Sequence, residues 1–584
     1  MGYNRGNADH WWGVMMAAHG VAHSSRTARW GEYIDHAGGP RRRISHACAR
    51  GMSLAAKDGA TVVAGLARMP GLNSWIGRGE RMTLNTTTAP GVMTGARYLE
   101  SLSDGREVWL DGEKVQDVTT HPAFTGMVHE LARIYDLQHT EVYRDQMTFI
   151  SPATGTRCSL SWLLPRTLED LKKKRRNSEI WNEQCWGQLG RGPDILAPYI
   201  ITLYDIRETL SAVRHPRCDF GENVVNYYHY CLEHDLFLTH ALGDPQVDRS
   251  QQPQNEQRTV SEEELVLHVV EETRDGVIVH GAKQLATAAP ISHETYVSLS
   301  PTFVRRADPA FVLAFAIPTS TPGLKILCRE PVSQWVGSYG HPLGMLYDEQ
   351  DAVLFFDHVL VPWERVFTLY EAALILERYQ SGVNFIGWAN LCRIHERMRL
   401  MTAVATMIAE AIGVIEYREV AAKLGEMVTY VEMWRHAMDG VEHNAFLTKG
   451  GLMSLGSMSG MNIFFAQISA RMVQLLREIA GSGLIMQPSE KDLANPEFRL
   501  YLDKYMRGKD VDVAYKARLL RLAHDLAVSS FGMRQELYEY WHGGDPNRNR
   551  INLLRSYGQR DMIDRIKTLI SKPLAYGAVP LERR

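Results

Sequence analysis

The sequence predicts an α+β chain in which a mainly helical N-terminal domain, a middle β-domain and a C-terminal helical bundle follow one another. Three patterns predict it. Apolar residues recur at helical spacing over 120–136, at Phe124, Met127, Val128, Leu131, Ile134 and Tyr135. Over 265–365 the pattern changes to short runs rich in branched and aromatic residues, at 277–279, 311–317, 325–328 and 352–361, bounded by Pro and Gly. Further on, Tyr417, Val420, Leu424, Met427, Val431, Trp434 and Met438 hold helical spacing over six turns.

Taken in order, residues 1–90 carry 11 Lys and Arg against 5 Asp and Glu, include Arg41-Arg42-Arg43 and sustain no period. They are expected to form a weakly ordered basic extension. Residues 91–264 form the helical domain. Within it Thr120 reads as the cap of a helix over 120–136, with Pro122 in the first turn. Residues 244–264, rich in Gln, Pro, Asn and Ser, read as an exposed loop. Asp275-Gly276 is a turn inside the β-domain, 265–365. Residues 366–584 make the bundle, with a second helical pattern at 511–531.

The 584 residues are 45% apolar and 22% charged, with a net charge of −3. That is ordinary globular composition, which excludes a disordered chain or a small disulfide scaffold and gives no global field for nucleic acid. No apolar run is long enough to span a bilayer, so no membrane partner is expected. Seven scattered cysteines without a C-x-x-C pair point to a reducing, cytoplasmic setting and to no metal centre. No G-x-G-x-x-G follows a strand, and no P-loop occurs. His395-Glu396 lacks the second histidine of a zinc motif because position 399 is Arg. Gly456 to Gly460 has Met458 where a nucleophile elbow needs Ser. These residues alone leave an enzyme-sized chain of unassigned chemistry.

Longer ordered blocks carry more. They are Met93-Thr94-Gly95-Ala96-Arg97-Tyr98-Leu99-Glu100-Ser101-Leu102, then Asp104-Gly105-Arg106-Glu107-Val108, then Val118-Thr119-Thr120-His121-Pro122-Ala123-Phe124. Gly190-Arg191-Gly192-Pro193-Asp194 follows, then His240-Ala241-Leu242 through Val247-Asp248-Arg249, then Gly281-Ala282-Lys283 to Ala286-Thr287. The last are 348–364, Ser482-Gly483-Leu484-Ile485 with Pro488-Ser489, and 531–539. In this order the blocks resemble the 4-hydroxyphenylacetate 3-monooxygenase family, the large components of two-component aromatic hydroxylases.

The resemblance implies an acyl-CoA dehydrogenase-like fold, which binds FAD without a Rossmann fingerprint, and a homotetramer or homodimer. It implies FADH2 from a separate NAD(P)H-dependent flavin reductase, O2 as oxidant, and transfer of oxygen from a C4a-hydroperoxyflavin to the carbon ortho to a phenol hydroxyl. The phenol is a small molecule, free or carrier-bound. In such enzymes the flavin carries the oxygen chemistry, while the protein excludes water and primes the ring as phenolate.

Carried over residue by residue, the resemblance places Arg191 on the phenol oxygen and makes His240 the active-site histidine. Phenolate at pH 7 costs about 4 kcal/mol for a phenol of ordinary pKa, which a guanidinium and an imidazole can offset. One position departs. The family carries Tyr four residues after the arginine, whereas this chain has Ile195, which cannot donate a hydrogen bond. Tyr199, one helical turn on, is the expected substitute. The change argues for a larger or differently held phenol than 4-hydroxyphenylacetate. Ser298 and Ser300 fall where the family places a loop over the substrate. For flavin the resemblance points to Gln246, Val247, Asp248, Arg249, Thr287, Gln487, Pro488 and Ser489.

Three other readings use the same fold. The 4-hydroxybutyryl-CoA dehydratases hold a [4Fe–4S] cluster on three Cys and one His. Here no second Cys lies within the 30 residues after Cys185 and none between 329 and 391, so no cluster is expected. An acyl-CoA dehydrogenase needs a catalytic carboxylate in the bundle. Glu416 and Glu426 are available there, but lie outside the resembling blocks. A flavin-binding homologue without oxygenase activity is the non-catalytic alternative.

Overall fold

Pro122 does not open a helix. In the computed structural model, Asp117 Oδ1 accepts from the backbone N–H of Thr119 at 2.8 Å and from its hydroxyl at 2.7 Å, tightening 117–121 into a turn. The helix runs Thr125–Leu137 with Phe124 at the cap position. His121 precedes a proline and is biased away from helical backbone, which delays the start. The apolar face reads as expected, with Met127, Val128, Leu131, Ile134 and Tyr135 buried.

The structure describes residues 90–245, 265–300, 309–332, 337–382 and 385–571. All belong to the unit Leu84–Arg584. The basic extension up to residue 89 and the segment 246–264, which includes Gln246, Val247, Asp248 and Arg249, lie outside the described residues.

The first part of the chain supplies the helices Leu168–Gln184, Pro193–Asp205 and Phe220–His234. Thr167 and Asp170 close a capping box on the first, and Asp219 caps the last. Among the described residues the β layer is built on a six-stranded and a four-stranded sheet, with two small hairpins besides. The larger runs in the order Glu113–Val115, Glu107–Leu110, Leu324–Cys328, Asp351–Pro362, Gly276–Thr287, His268–Glu272. The smaller runs Val366–Leu369, Leu313–Pro318, Glu294–Val297, Leu238–Ala241. Both sheets take strands from outside 265–365. Glu107–Leu110 pairs in parallel with Leu324–Cys328, and Leu238–Ala241 in parallel with Glu294–Val297. Such pairings join segments distant in sequence, so local periodicity does not reveal them.

The bundle contains Gly387–Ala411, Arg418–His443, Ser459–Ala480, Val513–Ala527 and Ser530–Trp541. The six-turn pattern falls inside Arg418–His443 and buries Leu424, Met427, Trp434 and Met438. The pattern at 511–531 divides in two. Ser529 caps the second helix by accepting from Gly532 N–H at 3.1 Å, and a Cβ at Gly532 would meet the Asp525 carbonyl at 2.7 Å. Among the described residues, no helix is long and apolar enough to cross a membrane.

Candidate active site

The site is built around the helix Pro193–Asp205, which is buried along most of its length and starts with Pro193 in the first turn after Gly192. Arg191 stands two residues before it. Gly190 must be glycine here, because a Cβ would meet the Tyr538 ring at 2.5 Å. The Tyr538 hydroxyl donates to the Gly190 carbonyl at 2.8 Å. The Arg191 guanidinium lies over the Tyr538 ring at 5.2 Å, and its Nη1 donates to the Gly190 carbonyl and to the Tyr538 hydroxyl. Its Nε is buried without a hydrogen-bond partner. Among the described residues Arg191 forms no ion pair with a carboxylate; only neutral groups satisfy this half-buried cation.

Behind it runs a relay of buried charge. The Arg191 backbone N–H donates to Glu349 Oε1 at 2.5 Å, and Glu349 Oε2 accepts from Arg534 Nη1 at 2.8 Å. Arg534 also grips Asp351 through Nε at 3.0 Å and Nη2 at 2.7 Å. Asp351 accepts in addition from Arg329 Nε at 3.0 Å and from the Thr287 hydroxyl at 2.7 Å. Burial alone would raise the Asp351 carboxyl, but Arg534, Arg329 and Thr287 together hold it far below the usual carboxylate range. Thr287 thus commits its proton to Asp351 and keeps its oxygen lone pairs as acceptors. Arg191 and Thr287 are two ends of one network.

Tyr538 sits at its centre. Arg191, Arg393 and Arg534 all lie between 5.1 and 5.2 Å from its ring centroid. Arg393 is paired in turn with the buried Glu539. Burial raises the Tyr538 phenol, while Arg191 and Arg393 pull the other way.

His240 is buried on the Leu238–Ala241 strand. Its ring meets Tyr199 edge-on at 5.3 Å and 71°. Ile195 is buried one turn earlier on the same helix. Tyr199 therefore packs on the histidine. The Ser298 N–H donates to the carbonyl of Ala241 at 3.2 Å, so Ser298 lies beside His240 across paired strands. The Ser298 hydroxyl is buried without a hydrogen-bond partner, and Ser300, half-buried, follows two residues on. One helix thus connects Arg191 with His240: it starts just after Arg191, and its Tyr199, about 9 Å along the axis from its first residue, packs on His240.

Gln487, Pro488 and Ser489 bond to other neighbours. Gln487 Nε2 donates to the Gly483 carbonyl at 2.7 Å, while its Oε1 is buried without a partner. The Pro488 carbonyl accepts from the Tyr339 hydroxyl at 3.1 Å. Ser489 caps the helix Glu490–Ala494. The Thr287 oxygen and the orphaned Gln487 Oε1 are acceptors suited to the N–H and O–H groups of a flavin nucleotide.

Glu349, Asp351, Arg534 and Tyr538 were not picked out as site residues from the sequence. The signal was present, since all four lie in the resembling blocks 348–364 and 531–539. Much of their work is in contacts that span 158 to 348 positions, which no local pattern displays. Among the described residues, no cysteine belongs to a group of three or more potential metal ligands, and Cys185 is a buried free thiol.

Two family models match the chain: 4-hydroxyphenylacetate 3-hydroxylase N terminal over residues 94–368, and 4-hydroxyphenylacetate 3-hydroxylase C terminal over 377–571. The chain belongs to the 4-hydroxyphenylacetate 3-hydroxylase family. The 4-hydroxyphenylacetate 3-monooxygenase oxygenase component of Thermus thermophilus is 35% identical over 490 residues, 82% of this chain and 98% of that protein. A crystal structure of such an oxygenase component, complexed with FAD and 4-hydroxyphenylacetate, matches with a TM-score of 0.77 at 35% identity, over 82% of this chain and 98% of that one. A 4-hydroxybutyryl-CoA dehydratase from N. maritimus matches with a TM-score of 0.72 at 21% identity, over 83% of this chain and 96% of that one, a likeness of fold alone. The match spans the helical, sheet and bundle parts of the chain together, in agreement with the α+β order expected from the sequence.

Proposed function

We propose that this chain is the oxygenase component of a two-component hydroxylase, which uses FADH2 and O2 to hydroxylate a phenol ortho to its hydroxyl. The observation that carries the reading is Arg191: a half-buried guanidinium at the head of a helix, which among the described residues is satisfied only by neutral partners and whose Nε has no partner. Such a cation calls for an anionic oxygen. Phenolate is the anion that a phenol hydroxylase must stabilise.

Arg191 and His240 line the substrate. The Arg191 charge favours phenolate over phenol, and a ring nitrogen of His240 takes or shares the departing proton. Ile195 and Tyr199 face this space from one helix, so the corner that would hold a third hydrogen-bond donor is apolar beside Ile195 and aromatic beside His240. That combination suits a phenol larger than 4-hydroxyphenylacetate, covered by the Ser298 and Ser300 segment. Bound FAD supplies an activated oxygen once reduced and exposed to O2. Thr287, Gln487, Pro488 and Ser489 would hold it, together with Gln246, Val247, Asp248 and Arg249. The relay of Glu349, Arg534 and Asp351 keeps Arg191 and Thr287 in fixed relation.

The missing dinucleotide fingerprint supports a separate NAD(P)H-dependent flavin reductase as the source of FADH2. Ile485 and Met486, 80% and 69% exposed beside Gln487, support a homotetramer or homodimer whose partner subunit closes the flavin site. The free thiols suit a cytoplasmic setting. Incubation of a phenol panel with chain, reductase, FAD, NADH and ¹⁸O2 tests the reading. One ¹⁸O in a catechol product is expected. FADH2 turnover to H2O2 with every phenol would favour a flavin-binding homologue without oxygenase activity.

A further inference from the structure

The large sheet contains a group of metal-ligating side chains that the hydroxylase chemistry does not use. The strands Asp351–Pro362 and Gly276–Thr287 pair in regular register at Phe356 with Gly281 and again at Val359 with Val279. Between those pairs, Asp357 and His358 both stand opposite His280. That two-to-one count is a β-bulge. In a regular strand, Asp357 and His358 would point to opposite faces of the sheet. The bulge removes that alternation: His358 takes φ +51°, and a ligand atom from each of His280, Asp357 and His358 lies within 4.8 Å of the other two.

The details suit a cation. His358 Nδ1 and Asp357 Oδ1 are 3.2 Å apart, close to the edge of about 3.4 Å for two ligands on a tetrahedral zinc with bonds near 2.1 Å. The His280 and His358 rings lie 4.5 Å apart. His280 Nδ1 is buried without a hydrogen-bond partner. Asp357 gives its other oxygen to Lys325 Nζ at 3.1 Å, which steadies the carboxylate without using Oδ1. The Asp357 and His358 side chains are 54% and 61% exposed, so they can adjust and the metal has a path in from solvent.

We propose that His280, Asp357 and His358 form a binding site for a divalent transition metal, with two imidazoles, one carboxylate and a water completing the shell. Nitrogen-rich N2O ligation favours Zn²⁺, Cu²⁺, Ni²⁺ or Co²⁺ over Mg²⁺ or Ca²⁺. The site is separate from the active site, because His280 lies seven residues along the strand from Thr287, about 23 Å at strand rise. Bound metal clips two neighbouring strands of the sheet at the place where their ladder is interrupted.

The probes are Zn²⁺ and Co²⁺ added to chelator-treated full chain. One equivalent of Zn²⁺ should bind per chain and raise the melting temperature, and Co²⁺ should give the visible absorption of a low-coordinate N/O site. His280→Ala and His358→Asn should each weaken Zn²⁺ at least tenfold and abolish the thermal shift. Asn tolerates the positive φ at 358, so this variant keeps the backbone even if His280→Ala disturbs the strand. His443→Ala, on a bundle helix, should bind as the parent does. Absence of stoichiometric Zn²⁺ binding by the parent, or unchanged affinity in His358→Asn, overturns the proposal.

Discussion

Among the described residues, Arg534, Arg393 and Arg329 each pair with a buried carboxylate, whereas the Arg191 guanidinium pairs with none, which suits its proposed role as a phenolate partner. His240 is the proposed proton partner, with Tyr199 of the Pro193–Asp205 helix against its ring. His240→Ala should therefore slow hydroxylation by roughly 30- to 1000-fold, the effect of losing about 2–4 kcal/mol of phenolate stabilisation. FADH2 affinity should change little; an equal loss in both would mean that His240 supports the fold rather than the substrate. Ile195→Tyr restores a hydroxyl one turn before Tyr199. In a competition assay it should move kcat/KM toward small 4-hydroxyphenyl acids, and unchanged selectivity would show that position 195 does not meet the phenol. At this scale the sequence was informative through whole blocks rather than single residues. Arg191, His240 and Thr287 could be proposed because they sit in blocks of fixed order. Glu349, Arg534 and Tyr538 were not, since a charged residue in a helix or loop looks solvated until its distant partner is known.

Among the elements, the junction of the helix Gly95–Ser101 with the small sheet depends on a neutral histidine. His293 Nδ1 accepts from the Phe237 N–H at 2.8 Å, so the ring proton is on Nε2, which donates to the Ser101 hydroxyl at 2.7 Å. Ser101 passes its own proton to the Tyr98 carbonyl at 2.6 Å. Burial, with Arg106 nearby, pushes His293 down to about 3. The folded value lies below the unfolded value of about 6.5, so the unfolded state binds the proton first as pH falls. Stability is complete above about pH 6.5 and is lost as pH falls toward 3, by about 2 kcal/mol at pH 5. His293→Gln keeps an acceptor for Phe237 without titrating. Its melting temperature should fall less than the parent's between pH 7 and pH 5, and parallel curves would show that His293 is not the sensor. The charge relay makes a second claim. Arg534→Met leaves Glu349 and Asp351 buried without their shared cation, and should cost about 3–5 kcal/mol in denaturant unfolding. The helix and strand order was readable from periodicity, but the parallel strands Glu107–Leu110 and Leu238–Ala241 were hidden because their partners are remote.

For the whole molecule, the proposed two-component scheme assigns NAD(P)H chemistry to a separate reductase. The isolated chain should not consume NADH, and robust oxidation without reductase would contradict a two-component scheme. Arg191 is proposed to stabilise phenolate for hydroxylation without being needed to hold reduced flavin. That role is tested most directly by a single-turnover mix of chain, FADH2, O2 and an accepted phenol, with hydroxylated product and H2O2 both quantified. The parent should deliver mostly hydroxylated product. Arg191→Ala should bind FADH2 and consume O2 as the parent does, yet yield mostly H2O2, with hydroxylation down roughly 30- to 1000-fold. Hydroxylation by Arg191→Ala at the parental rate and yield would contradict the account.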